Sequence, residues 1–345
     1  MSLVMSLSLE QALARADQAL EDGEFIEAVA FANQALAQAP RDLDALELKG
    51  LALAELGEFE EADHVFAALL SEDPKHVTGL IAAADVKIRQ PGDDRERIEE
   101  GLALLVRAEP HAKTQEALTT ELWLLRGIAS NQLGELDAAL DAFGRVLTLD
   151  PEHAEAQFER AQVLFELGRF AEAKKDFERL TKDFPEAPWS FHYLGLLAER
   201  RGENPEPWFE RARKLDPDEF PNPTRLSSAE FDAAVADAIA RLPEHARAEL
   251  GNTVIAVEPI PRDDEIAEGL SPIVLGVFTG TPITERLSLH AEHEQTVRIT
   301  LFQKNLERFA RSREELLEEI RITVLHEVGH LMGLDEDELY ERGLD

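Results

Sequence analysis

No cysteine occurs among the 345 residues. That excludes a disulfide framework and any thiolate-held zinc or iron–sulfur group, so a metal site would have to rest on histidine and carboxylates. Long apolar runs are missing as well. Nothing approaches the roughly 18 residues that read as a spanning helix. The opening MSLVMSLSLEQALARA lacks the basic n-region and apolar core of a secretion signal. A soluble cytoplasmic protein that does not engage a membrane is the expectation. Basic residues are scarce: 35 Lys and Arg stand against 70 Asp and Glu, for a net charge of −35. That argues against nucleic-acid phosphates and anionic lipid, and favours basic or neutral partners. What remains is globular composition, 44% hydrophobic and 30% charged, at a length that suits two or three domains.

The strongest pattern is a period of 34 residues. Gly23 and Gly57 are one period apart, as are Gly134, Gly168 and Gly202 in turn; Pro40 and Pro74, and Pro151 and Pro185, keep the same spacing. Each unit reads as two amphipathic helices with glycine at the turn and proline at the close, where a helix cannot continue. Gly50, Gly127, Ala161 and Gly195 are small where a first helix meets its neighbour. Ala28, Ala62, Ala139 and Ala173 are small near the start of the second helix, and Phe66, Phe143 and Phe177 fill a large slot four residues later. This register resembles the tetratricopeptide repeat, a 34-residue helix–turn–helix unit. About six units fit between residues 7 and 217. The third carries an insertion at Pro91 and Gly92, and the last is two residues short before Phe209. The resemblance implies an α-helical solenoid with a groove that holds a protein or peptide. His192, Tyr193, Trp123, Trp189 and Trp208 could read such a partner, but aromatics in these units are more often packing and receive no role.

Three prolines between Asp216 and Ser228 end the period, and residues 218–226 are expected to link two domains. Beyond them the pattern changes. SSAEFDAAVADAIARLPEHARAELG predicts one helix and a shorter second, with Ser228 as N-cap. TVIAVEPI, IVLGVFTGTP and VRITLFQ predict three strands. SREELLEEIRITVLHEVGHLMG predicts a long helix that opens on a capping box of Ser312 and Glu315 and stops at Gly333. Its run IRITV would suit a strand equally well. Leu317, Ile320, Val324, Val328 and Leu331 form one apolar stripe of that helix, and Ile322, Leu325 and Met332 another.

Within this helix lies HEVGHLMGLDEDEL, residues 326–339. His326 and His330 are four apart and share a helical face, so both imidazoles can reach one Zn²⁺. Glu327 lies about 100° round the helix, placed to take a proton from water at the ion's open position. A third ligand must come from elsewhere, and Asp335, Glu336 and Asp337 follow a glycine that lets the chain turn back. His290 and His293 could hold a second ion but read more simply as solvated, and Tyr340 could stabilise an oxyanion.

From residue 227 onward, FDAAVADAIARLP, TVIAVEPIP, VLGVFTGTPITER, VRITLFQKNLERFA and EIRITVLHEVGHLMGLDEDEL resemble, in that order, the minimal metalloprotease family of zincin-like domains. The resemblance implies a small α+β domain over 227–345 with one Zn²⁺ held at HExxHxxGxx(acid). Where the family has Asp three residues past the glycine this chain has Glu336, the third ligand expected, with Asp337 and then Asp335 behind it. Strand VRITLFQ could align a peptide by strand addition. The expectation is thus a zinc-dependent metallopeptidase fused to a repeat array that binds a protein partner or substrate. Its rival is an interaction scaffold whose zincin-like domain binds metal without turnover.

Overall fold

The computed structural model describes residues 7–92, 94–283, 297–335 and 338–339. By internal contacts the chain divides into two compact units, residues 1–163 and 164–345.

The first unit is built of helix pairs: α1 (Leu9–Glu21) with α2 (Phe25–Gln38), α3 (Leu43–Glu55) with α4 (Phe59–Glu72), α5 (Val77–Arg89) with α6 (Arg95–Ala112), and α7 (Glu116–Gln132) with α8 (Leu136–Leu149). α9 (Ala154–Glu166) follows and lies in this unit except for its last residues. Gly23, Gly57 and Gly134 turn with φ of 74°, 76° and 75°, a left-handed conformation that glycine adopts at little cost. The small–large pairing has a physical basis. The Phe66 ring lies so close to Gly50 that a Cβ there would stand 2.6 Å from it, and Phe143 crowds Gly127 still more tightly. Ala28, Ala62 and Ala139 are fully buried. In the third unit Gly101 is the small residue of the second helix, where a Cβ would meet Ile88 Cγ1 of the first at 2.8 Å, and the fully buried Leu105 follows four residues later. The turn glycine there is Gly92, φ 103°, inside the insertion at Pro91 and so off the 34-residue spacing.

The second unit opens with α10 (Phe170–Asp183), α11 (Pro188–Arg200) and α12 (Glu206–Leu215). Gly168 and Gly202 turn with φ of 70° and 69°, and Phe209 lies on Gly195. Tyr193 stacks on Phe177 with centroids 4.7 Å apart, and it meets Phe165 edge-on. His192 stands among Phe209, Phe220 and Trp189. Tyr193 is packed in the core, whereas Trp189 is 41% exposed. Residues 216–227 form neither helix nor strand, yet Phe220 and Leu226 are buried.

The remaining chain forms α13 (Ser228–Arg241), α14 (Glu244–Leu250), β1 (Val254–Glu258), α15 (Asp263–Ala267), β2 (Gly276–Thr279), β3 (Arg298–Phe302), α16 (Gln303–Phe309) and α17 (Arg313–Met332). The N-cap of α13 is Ser227, one residue before the serine expected, because Ser227 and Glu230 complete a reciprocal capping box. The sheet order is β1–β3–β2, with β1 parallel and β2 antiparallel to β3. β3 is therefore central and bonded on both edges. It cannot accept a peptide strand as expected; among the described residues the outer edges belong to β1 and β2. Phe231, Val235 and Ala238 of α13, Ile299 and Leu301 of β3, and Leu316, Ile320, Val324, Val328 and Leu331 of α17 make one core.

Within this unit the layered segment is anchored to Glu166, to the turn at Gly168 and to α11. Arg200 donates to Pro261 O and Asp263, Ser271 donates to Glu166, and Ile266 lies 3.0 Å from the Cβ position of Gly168. Glu199 takes both Lys304 and Arg308. The architecture is an α-helical repeat solenoid followed by a small α+β segment.

Candidate metal centre

α17 presents the HExxH residues. Its β-branched run is helical because Ile320 and Val324, four apart, fall on the buried stripe with Leu316, Val328 and Leu331, and that packing outweighs strand preference. The stripe starts at Leu316, not Leu317, which is 40% exposed. Ser312 Oγ caps Glu315 N–H, whereas the Glu315 carboxylate accepts from Arg311 N–H, so the box expected there is only half made.

His326 and His330 turn their rings toward each other, with centroids 4.7 Å apart and planes at 85°. Their Nε2 atoms approach to 3.0 Å. Two nitrogens bound to one tetrahedral zinc at about 2.0–2.1 Å would stand about 3.3 Å apart, so the pair fits a shared ion. His330 Nδ1 lies 3.1 Å from Leu334 O. A carbonyl only accepts, so Nδ1 carries the proton and Nε2 carries the lone pair, as a metal ligand requires. His326 Nε2–H can donate to that lone pair, and a cation that replaced the proton would take both nitrogens.

Glu327 is 5% exposed and points to the sheet, where it meets the start of β2 at Gly276. Gly333 ends the helix with φ 89°, and Leu334 N–H returns to Gly329 O, so the chain doubles back. Leu339 then packs, fully buried, onto Gly329, whose Cβ would overlap Leu339 Cδ2. Asp335 is exposed, and its carboxylate caps Glu338 N–H at 2.9 Å while Glu338 accepts from Asp335 N–H. Glu336, Asp337 and Tyr340, like His290 and His293, lie outside the described residues. Among the described residues no group of three metal-ligating side chains stands together.

A family model described as zincin-like metallopeptidase matches residues 250–344, and a tetratricopeptide repeat model matches 13–77, 124–188 and 158–220. The chain carries tetratricopeptide repeats followed by a zincin-like metallopeptidase domain. Tetratricopeptide repeat protein 36 of Homo sapiens is 34% identical over 112 residues, 31% of this chain and 58% of the relative. Protein CTR9 homolog of Arabidopsis thaliana is 28% identical over 178 residues, 52% of this chain and 16% of the relative. The chain spans 14% to 58% of the lengths of such relatives. The solved pilF of Pseudomonas aeruginosa is 18% identical and shares the fold with a TM-score of 0.53, over 65% of this chain and 96% of that one. Among the described residues no helix is long and apolar enough to cross a membrane.

Around the zincin-like motif, three features escaped sequence reasoning. Gly276 comes from a distant strand and Leu334 contributes only its carbonyl. Gly329 counts as a spacer in HExxH but clears room for Leu339. A glycine inside an apolar strand run is the one available signal, since it marks close approach of another element.

Proposed function

We propose that the chain is a zinc-dependent metallopeptidase whose repeats hold a protein partner or substrate. His326 and His330 bind the ion through Nε2, and an acid beyond Gly333 completes the set: Glu336 first, then Asp337, then Asp335. The cap that Asp335 makes with Glu338 N–H supports ranking it last. Bound there, zinc supplies a Lewis acid that polarises a scissile carbonyl and brings the pKa of water towards 7. Glu327 takes the proton of the attacking water and delivers it to the leaving amine. The Leu334 carbonyl keeps His330 in the ligating tautomer. An extended substrate would find the edge of β2 nearest Glu327, since β3 is enclosed. Residues 7–217 serve as the repeat array, 218–226 connect, and 227–345 carry the chemistry.

The observation that carries this reading is the 3.0 Å approach of the two Nε2 atoms with His330 Nδ1 turned to Leu334 O. The test is Glu327→Gln. It should leave one zinc per chain and lower peptide hydrolysis about 10²- to 10⁴-fold, the usual worth of a general base. An unchanged rate sinks the mechanism. Stoichiometric zinc with no hydrolysis by the native chain would favour the scaffold reading instead.

A further inference from the structure

Gly276 begins β2 directly beside Glu327. A Cβ on it would stand 3.0 Å from Glu327 Oε1, 3.2 Å from Glu327 Cγ and 2.6 Å from Thr323 Cγ2. Carbon atoms rest at about 3.5–4.0 Å, so any larger residue there displaces something. The backbone does not itself require glycine: Gly276 lies in a strand and is absent from the positive-φ positions. Space requires it.

Neither neighbouring element can yield. Gly276 is in register with Leu301 of β3, and Phe302 N–H donates to Leu275 O at 2.8 Å. Leu301 and Phe302 are fully buried. On the helix side Thr323 is 5% exposed, between the fully buried Ile320 and Val324. With strand and helix pinned, two side chains must accommodate a Cβ: the Thr323 methyl at 2.6 Å and the Glu327 carboxylate at 3.0 Å, the second of which carries three side-chain torsions.

We propose that Gly276 is a positioning residue for Glu327, its missing side chain reserving the volume in which the carboxylate works. The inference rests on the reading of Glu327 as general base. A base must come within about 2.6–3.2 Å of the proton that it takes. The same carboxylate then serves a second position, at the leaving amine, and needs lateral room to do so. A methyl group at Gly276 fills that room.

The test compares full-length Gly276→Ala, Gly276→Ala/Thr323→Ser, Thr323→Ser, Glu327→Gln and the native chain. Bound zinc, melting temperature, kcat and KM are measured for each, with crystal structures of the zinc-free native and Gly276→Ala chains. Gly276→Ala should keep one zinc, because the histidines are untouched. Its kcat should fall about 10- to 100-fold, the scale set by a misplacement of about 1 Å, with KM unchanged. Its Glu327 carboxylate should be displaced by about 1 Å while α17 and β2 stay in place. Thr323→Ser removes the methyl at 2.6 Å, so the double variant should regain melting temperature but not kcat. It also keeps the test open if the single variant does not fold. Recovery of kcat together with melting temperature would make Gly276 a packing residue and overturn the proposal. So would an unmoved carboxylate, or a kcat of Gly276→Ala within twofold of native. If Glu327→Gln is inactive while Gly276→Ala is fully active, this inference alone fails. Native turnover in Glu327→Gln overturns the base assignment together with it.

Discussion

Glu199→Gln tests how firmly the zincin-like segment is tied to the last repeat. Glu199, at the end of α11, is 11% exposed at its side chain and meets Lys304 Nζ at 3.0 Å and Arg308 Nη1 at 2.5 Å. Arg308 also donates to Asn305 Oδ1, and Asn305 Nδ2 donates to Pro272 O and Val274 O. One carboxylate thus anchors a chain of contacts that reaches the loop before β2. The amide keeps the shape and removes the charge. Stripping one partner from a fully buried pair costs about 3–5 kcal/mol. Arg308 is 19% exposed and Lys304 44%, and the exposed half is worth less than about 1 kcal/mol. A loss of about 2–3 kcal/mol is expected, or about 4–12 °C in the melting temperature of a unit of this size. Burial pushes the Glu199 carboxyl up, but Arg308 and Lys304 outweigh it and hold it below its ordinary value of 4.5. Its contribution is therefore complete above pH 4.5 and lost as pH falls through the lower folded value. Calorimetry of the full chain at a series of falling pH values should show the native–variant gap narrow below pH 4.5. A gap under 1 °C at pH 7, or one that does not narrow in acid, would refute the argument.

Two further outcomes follow from the same geometry. Gly329→Ala drives Leu339 off the helix and loosens the turn that returns the acids after Gly333. Zinc affinity should fall at least tenfold in a chelator competition, with α-helix content unchanged by circular dichroism. In the first unit Arg89 pairs with Asp85 and Glu155, and Glu121 and Glu159 stand close by. Burial raises Asp85, Glu121 and Glu159 above their ordinary values. Arg89→Ala removes the cation that tempers them. It should cost about 1 kcal/mol at pH 7, after discounting for an arginine 39% exposed. The cost should shrink as pH falls through the raised values and the carboxylates neutralise, as read by urea denaturation at pH 7 and pH 4.5.

The repeats were legible because each signature residue answers a constraint met within its own unit. A glycine at a left-handed turn and a glycine under a phenylalanine ring leave marks at fixed spacing. The third unit kept the packing, with Gly101 under Ile88 and Leu105 four residues on, but its insertion moves the turn glycine to Gly92, off the period. Single-residue phase was the weakest inference. Leu316 and Leu317 are equivalent to any periodicity, and so nearly are Ser227 and Ser228. Burial in the shared core decides the first pair and a capping glutamate the second. The centre divides along the same line. His326, Glu327 and His330 lie within one helical turn or so, where spacing alone puts two imidazoles on one face. Gly276 and the Leu334 carbonyl act on them without sharing that spacing, one across the core and the other through main chain. A motif therefore records which side chains meet an ion, while the space around Glu327 depends on a strand residue whose contribution is the absence of a side chain. Gly276→Ala consequently separates holding an ion from using it, since it leaves every residue of the motif in place.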